Sequence, residues 1–213
     1  MLNVLIDGSL KAERTLILAH GAGAGKEHYF MNFFAKKLAN DQLRVVRFDF
    51  PYMARARFTG KKIPPDRQIK LVASWQEMIS KFRTKELIIG GKSLGGRIAS
   101  IISDAQEVDG LVCLGYPFHA PGKLDSPRVE HLRLLQTPTL ICQGTRDPFG
   151  NKNDVATYNL SKKISFNWVK DGDHSFKPRK SSGLTEADNL LTSLKAVKTF
   201  SQTLFEDIRR EPQ

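Results

Sequence analysis

Ser93 stands in the run Gly91-Lys92-Ser93-Leu94-Gly95, between the apolar stretch Leu87-Ile88-Ile89 and a stretch from Arg97 to Ala105 with helical spacing. A serine at the tip of a sharp strand-to-helix turn, flanked by small residues that leave room for a strained backbone, has the form of a nucleophile elbow. Its hydroxyl is a poor nucleophile until a neighbouring histidine takes its proton, and that histidine needs a carboxylate to hold its ring. The chain supplies both in the order serine, acid, histidine. Asp147 follows the strand-like run Thr139 to Gln143, and His174 follows Ser165 to Val169. Asp171 and Asp173 lie nearer His174 in sequence, but the chain order favours Asp147 as the orienting acid. Such a set performs acyl transfer through a covalent serine intermediate.

The tetrahedral stage of that chemistry needs donors aimed at an oxyanion. The backbone amide of Leu94, directly after the serine, is one. The second belongs to the loop His20-Gly21-Ala22-Gly23-Ala24-Gly25, with Ala22 the first choice and Gly23 the alternative. His20, at the strand end, reads as structural.

Two phosphate-binding readings fail on spacing. Gly-Lys-Ser also ends a P-loop, which needs a glycine five positions before its Gly-Lys pair, where this chain has Glu86. A dinucleotide fingerprint in the early glycine loop would need its last glycine at the position held by Lys26. No cofactor is expected, and no metal site. Cys113 and Cys142 both lie in apolar runs, where a thiol behaves as a small hydrophobe.

With 213 residues the chain is expected to form one domain over residues 1–213. No apolar run approaches the roughly 18 to 20 residues that span a bilayer. The first residues lack a basic stretch and a cleavage site, so a cytoplasmic location and no membrane partner are expected. The net charge of +11 is the outlier, with basic residues clustered in Arg55, Arg57, Lys61, Lys62, Arg67 and Lys70 and again in Lys177, Arg179 and Lys180. No helix carries a continuous basic face interleaved with aromatics, which argues against nucleic acid and leaves an anionic substrate or partner.

These residues must be positioned by the rest of the chain, which alternates short aliphatic runs with longer amphipathic stretches, the pattern of an α/β fold around a mostly parallel sheet. Strands are expected at Leu2 to Ile6, Thr15 to Ala19, Leu43 to Phe48, Glu86 to Gly90, Gly110 to Leu114, Thr139 to Gln143 and Ser165 to Val169. Asp7-Gly8 predicts that the first two form an antiparallel hairpin. Helices are expected at Glu27 to Asn40, Arg67 to Phe82, Gly96 to Ala105, Pro127 to Leu135, Asn153 to Leu160 and Glu186 to Ile208. Pro51 to Pro65, with two further breakers, reads as a surface loop bordering the site.

Taken together, the motifs Leu18-Ala19-His20-Gly21-Ala22-Gly23, Gly90-Gly91-Lys92-Ser93-Leu94-Gly95-Gly96-Arg97, Gly144-Thr145-Arg146-Asp147-Pro148-Phe149-Gly150 and Gly172-Asp173-His174-Ser175 resemble the α/β-hydrolase superfamily. Phe50-Pro51-Tyr52-Met53, Pro64-Pro65-Asp66 and Gly115-Tyr116-Pro117-Phe118-His119 add to the likeness. Within the superfamily the chain resembles a small capless branch that includes bacterial predicted hydrolases, a testis-expressed protein and a subunit of a chromatin-acetylating complex. The resemblance implies an α/β-hydrolase fold without a cap, and Ser93, Asp147 and His174 as catalytic triad. It leaves the substrate open, because some members serve as scaffolds. An esterase-like serine hydrolase acting on a small ester-type substrate is expected, with a hydrolase-fold interaction protein carrying an idle triad as the alternative. Gly23, Lys92, His119, Arg55 and Arg57 are candidate substrate-binding residues. Lys92 is expected to point to solvent or to form an ion pair, since lysines are rarely buried.

Overall fold

The computed structural model describes residues 4–210. Seven strands, β1 (Val4–Asp7), β2 (Arg14–Ala19), β3 (Leu43–Phe48), β4 (Glu86–Lys92), β5 (Gly110–Leu114), β6 (Thr139–Gly144) and β7 (Ile164–Val169), form one sheet in the order β1-β3-β2-β4-β5-β6-β7. Strands β2 to β7 run parallel, and β1 runs antiparallel at the edge. Leu16 to Ala19 and Leu87 to Gly91 are buried throughout, as expected of strands covered on both faces.

Helices cover both faces. On one side lie α1 (Tyr29–Leu38) and α7 (Glu186–Arg210), whose Phe30, Phe34, Leu190, Leu194 and Val197 pack on Leu16, Val45 and Val112. On the other lie α2 (Pro51–Thr59), α3 (Gln68–Phe82), α4 (Leu94–Ile102), α5 (Glu130–Leu134) and α6 (Lys152–Ala156). There Trp75, Met78, Ile98 and Leu132 close on Ile17, Ile89 and Leu111. Each fully buried side chain of this size contributes about 1.5–3 kcal/mol relative to exposure. Among the described residues no helical cap interrupts the stretch after β5, and no helix is long and apolar enough to cross a membrane.

Two sequence expectations are corrected. The first strand does not form a hairpin with β2; it pairs with β3, Val4 opposite Phe48 and Asp7 opposite Val45. Gly8 does turn, with φ at +92°, but the connection through residues 8–13 carries the chain past β3. The Asp7 carboxylate then receives the Arg47 guanidinium of β3 at 2.7 Å. The two-sided apolar sequence of β2 suits an interior place, and the half-buried β1 suits the edge. Leu2 and Asn3, part of the expected first strand, lie outside the described residues.

The second correction concerns Pro51 to Pro65, whose first nine residues are a helix rather than a loop. The residues read as breakers are its punctuation. Pro51 occupies the first turn, where its missing N–H costs nothing, and Gly60 ends the helix in the left-handed conformation. Only Tyr52 of this helix is buried, so no apolar stripe announced it. The helices expected at Pro127 to Leu135 and Asn153 to Leu160 shorten to α5 and α6, the latter started by a capping box between Asn151 and Asp154.

Candidate active site

The carboxyl ends of β4, β6 and β7 converge on one point. Ser93 lies between β4 and α4 with φ 50° and ψ −112°, a conformation costly for a residue with a side chain and held by its surroundings. Its N–H donates to the Leu114 carbonyl at 3.1 Å, and its carbonyl accepts the Arg97 N–H at 2.9 Å. Gly95 lets the start of α4 press on β2: a methyl group there would stand 2.3 Å from the Ala19 carbonyl oxygen.

The His174 Nε2 accepts the Ser93 hydroxyl at 2.9 Å, and its Nδ1–H donates to the Asp147 Oδ2 at 2.8 Å. The tautomer follows from Asp147, since an ionised carboxylate only accepts. Asp147 is fully buried. Its Oδ1 accepts the Phe149 N–H at 2.8 Å and its Oδ2 also accepts the Gln143 side-chain N–H at 3.0 Å. The Phe149 ring lies 4.3 Å from the imidazole, centroid to centroid, and fixes its tilt. Gln143 escaped sequence reading. Its signal was a lone amide directly after the apolar run Leu140 to Cys142.

Above the serine, residues 20–26 form the glycine loop. His20 is buried and pushed below its ordinary ionisation by desolvation, so it is neutral. Its Nε2 accepts the Phe50 N–H at 3.0 Å and its Nδ1–H donates to the Gly21 carbonyl at 2.6 Å. The Tyr52 hydroxyl stands 3.2 Å from the Ala22 carbonyl and 3.3 Å from that of Gly21. At the far end Asp49 accepts the Lys26 backbone N–H at 2.8 Å and its ammonium at 2.9 Å, both groups buried. Arg57 adds a third contact to Asp49 at 3.0 Å. The Asp49 carboxylate thus anchors the far end of the loop that borders the cavity beside Ser93. Asp49→Ala is expected to lower stability by about 3–5 kcal/mol by stranding the Lys26 charge, which urea unfolding measures; a change below about 1 kcal/mol would contradict the anchoring role.

A cavity of about 350 Å³ opens beside Ser93, bounded by Ala22, Gly23, Tyr29, Phe30, Met31 and Phe149 among others. The family model of the alpha/beta hydrolase domain matches residues 12–202 of this sequence. The chain belongs to the alpha/beta hydrolases. Solved structures agree with the fold. An alpha-beta serine hydrolase homologue from Coxiella burnetii matches with a TM-score of 0.69 at 18% identity, over 93% of this chain and 90% of that one. A serine hydrolase without lid from Xanthomonas campestris gives 0.67 at 19%, over 95% and 88%. Est1E from Butyrivibrio proteoclasticus, solved with ferulic acid bound, gives 0.72 at 15%, over 96% of each chain.

The remaining candidates of this alpha/beta hydrolase are placed differently from expectation. His119 does not line the cavity; it is buried between the Ala120 carbonyl at 2.9 Å and the Asp154 carboxylate at 3.3 Å. Arg55 is engaged by Asp66 at 2.8 Å, and Arg57 by Glu27 at 2.7 Å as well as by Asp49. Arg57 borders a second groove, of about 800 Å³, on the outer side of the glycine loop, together with Lys61, Lys62 and Ile63. Lys92 points neither to solvent nor to an ion pair. Its Nζ is closed off from water without a hydrogen-bond partner among the described residues, 5.7 Å from the Phe30 ring centroid. Burial pushes this ammonium down to about 8, against the opposing pull of Asp147 and Asp173.

Proposed function

We propose that this protein is an esterase-like serine hydrolase that acts on small ester-type substrates through an acyl-enzyme on Ser93. The observation that carries the reading is the unbroken hydrogen-bond chain from Ser93 through His174 to Asp147, opening directly onto a cavity. In the first half-reaction the His174 Nε2 takes the hydroxyl proton as Oγ attacks the substrate carbonyl carbon. The backbone N–H groups of Leu94 and of Ala22 or Gly23 receive the oxyanion, and the fixed loop spares their reorganisation during reaction. His174 returns the proton to the leaving oxygen or sulfur. Water, deprotonated by the same Nε2, then releases the acid and restores Ser93. Every step uses proton transfer and backbone donors of this chain, so the route requires no cofactor.

The cavity size and the absence of a helical cap after β5 favour a small acyl group and an unconstrained leaving group. A panel of p-nitrophenyl esters of increasing acyl length tests this. The expected result is a burst of about one p-nitrophenol per chain before steady turnover, strongest for short acyl groups. No turnover across the panel would contradict the reading. One observation favours an interaction role for the outer groove instead: Phe58 is 93% exposed on α2, close in sequence to Lys61 and Lys62, which border that groove. An acidic partner would fit that surface.

A further inference from the structure

The outer groove is the part of the molecule beside the site that the chemistry above leaves without a role. Its wall and that of the cavity at Ser93 have Ala22, Gly23 and Ala24 in common, so the glycine loop is a ridge between two hollows. The crest of that ridge is bare. Ala22 and Gly23 are exposed, and a methyl group built on Gly23 would meet no atom within 4 Å. A leaving group that no cap encloses thus has an open path from Ser93 over the loop into the groove.

The charges of the groove are of one sign. Arg57, Lys61 and Lys62 line it, and no acidic side chain does among the described residues. Arg57 is committed to Glu27 and Asp49. Lys61 and Lys62 are exposed, and neither ammonium enters an ion pair among the described residues. Their backbone is fixed nonetheless. Gly60 closes α2 in the left-handed conformation just before them, the rings of Pro64 and Pro65 restrict the chain just after, and Asp66 ties the segment back to α2 through Arg55 at 2.8 Å. That ion pair also uses the one acid between Pro51 and Arg67. Two adjacent unpaired cations on a pinned backbone match a phosphate monoester, which carries about 1.5 to 2 negative charges at neutral pH.

We propose that the leaving group of the substrate carries a phosphate, and that Lys61 and Lys62 bind it in the outer groove while the acyl group occupies the cavity. The inference rests on Ser93 being the nucleophile, and it narrows the substrate to acyl esters and thioesters whose alcohol or thiol part bears a phosphate. The wall shared with the cavity favours a substrate group here over an acidic protein, which needs no path to Ser93.

The test compares butyryl esters of four- to eight-carbon alkanediols that carry a phosphate at the far end with the same esters ending in a free hydroxyl, and follows release of butyrate. At low salt the wild type is expected to favour the phosphorylated series by about five- to tenfold in kcat/KM, since two exposed charge pairs each add only a small factor, and to lose part of that advantage as salt is raised. Lys61→Gln with Lys62→Gln levels the ratio, and Lys61→Glu with Lys62→Glu inverts it. Lys195→Gln with Lys198→Gln, the same loss of charge at exposed positions of α7, leaves the ratio in place and so separates the groove from the net charge of the chain. Binding of hexyl phosphate to Ser93→Ala, followed by calorimetry, reads the groove without turnover and should vanish when Lys61 and Lys62 are also replaced by Gln. A wild-type ratio near one, a ratio that falls equally in the α7 variant, or an advantage that follows the phosphate when it is moved to the acyl end overturns the proposal. So does binding of an acidic peptide by Lys61 and Lys62 with no discrimination among the esters. Should no ester turn over while hexyl phosphate binds in a Lys61- and Lys62-dependent way, the hydrolase reading fails and the phosphate site stands. Turnover without discrimination and without hexyl phosphate binding gives the reverse.

Discussion

Ser93→Ala is expected to reduce hydrolysis of the best ester by about 10⁴-fold or more, to near the rate set by backbone donors and binding alone. The loss should fall on kcat, since the hydroxyl contributes nothing until it attacks. Folding should be little affected. The side chain leaves only its bond to His174, and the strained backbone at φ 50° is held by the Leu114 and Arg97 contacts, which the substitution retains. Thermal unfolding within a few degrees of wild type, alongside the kinetic loss, separates the loss of a nucleophile from the loss of a fold. A variant retaining more than a tenth of wild-type turnover would place the chemistry elsewhere.

Asp147→Asn should be nearly as damaging, for a reason visible in its hydrogen bonds. The carboxylate accepts from three donors, the His174 ring, the Gln143 amide and the Phe149 N–H, and is fully buried. An asparagine replaces one acceptor with an N–H₂ group. If that group faces Phe149, two donors confront each other in the interior; if it faces His174, the ring must turn its bare nitrogen toward it. The imidazole then carries its proton on Nε2 and cannot receive the one from Ser93. A drop of about 10⁴ in kcat is expected, with a stability cost of about 1–3 kcal/mol from the unpaired donor. Full activity in Asp147→Asn would mean that the acid does not orient the histidine.

Much of this was legible in the sequence because some positions have strong local requirements. The elbow at Ser93 needs a strand behind it, a helix ahead and glycine where backbones touch, and Gly95 meets Ala19 for that reason. His174 was visible because it follows a late strand. What stayed hidden is tertiary. Gln143 meets the Tyr116 backbone 27 positions away and Tyr52 the Ala22 carbonyl 30 positions away, and Lys26 and Asp49, 23 positions apart, meet only after β3 is laid beside β2. The helix α2 was missed because Pro51 and Gly60 act as its terminal signals rather than as breaks. The partner of β1 was missed because Asp7-Gly8 states that the chain turns, not which strand it turns toward. Lys92 ran against the ordinary rule that lysines stay wet, because the place of its ammonium between Phe30 and Gly115 is fixed only by the tertiary packing.

The account depends most on Ser93 being an activated nucleophile. Intact-mass measurement after incubation with a fluorophosphonate probe addresses this without knowledge of the substrate. One phosphonyl group per chain is predicted, mapping to the peptide that holds Ser93 and absent from Ser93→Ala. An unmodified wild-type protein, or an adduct on another residue, would contradict it.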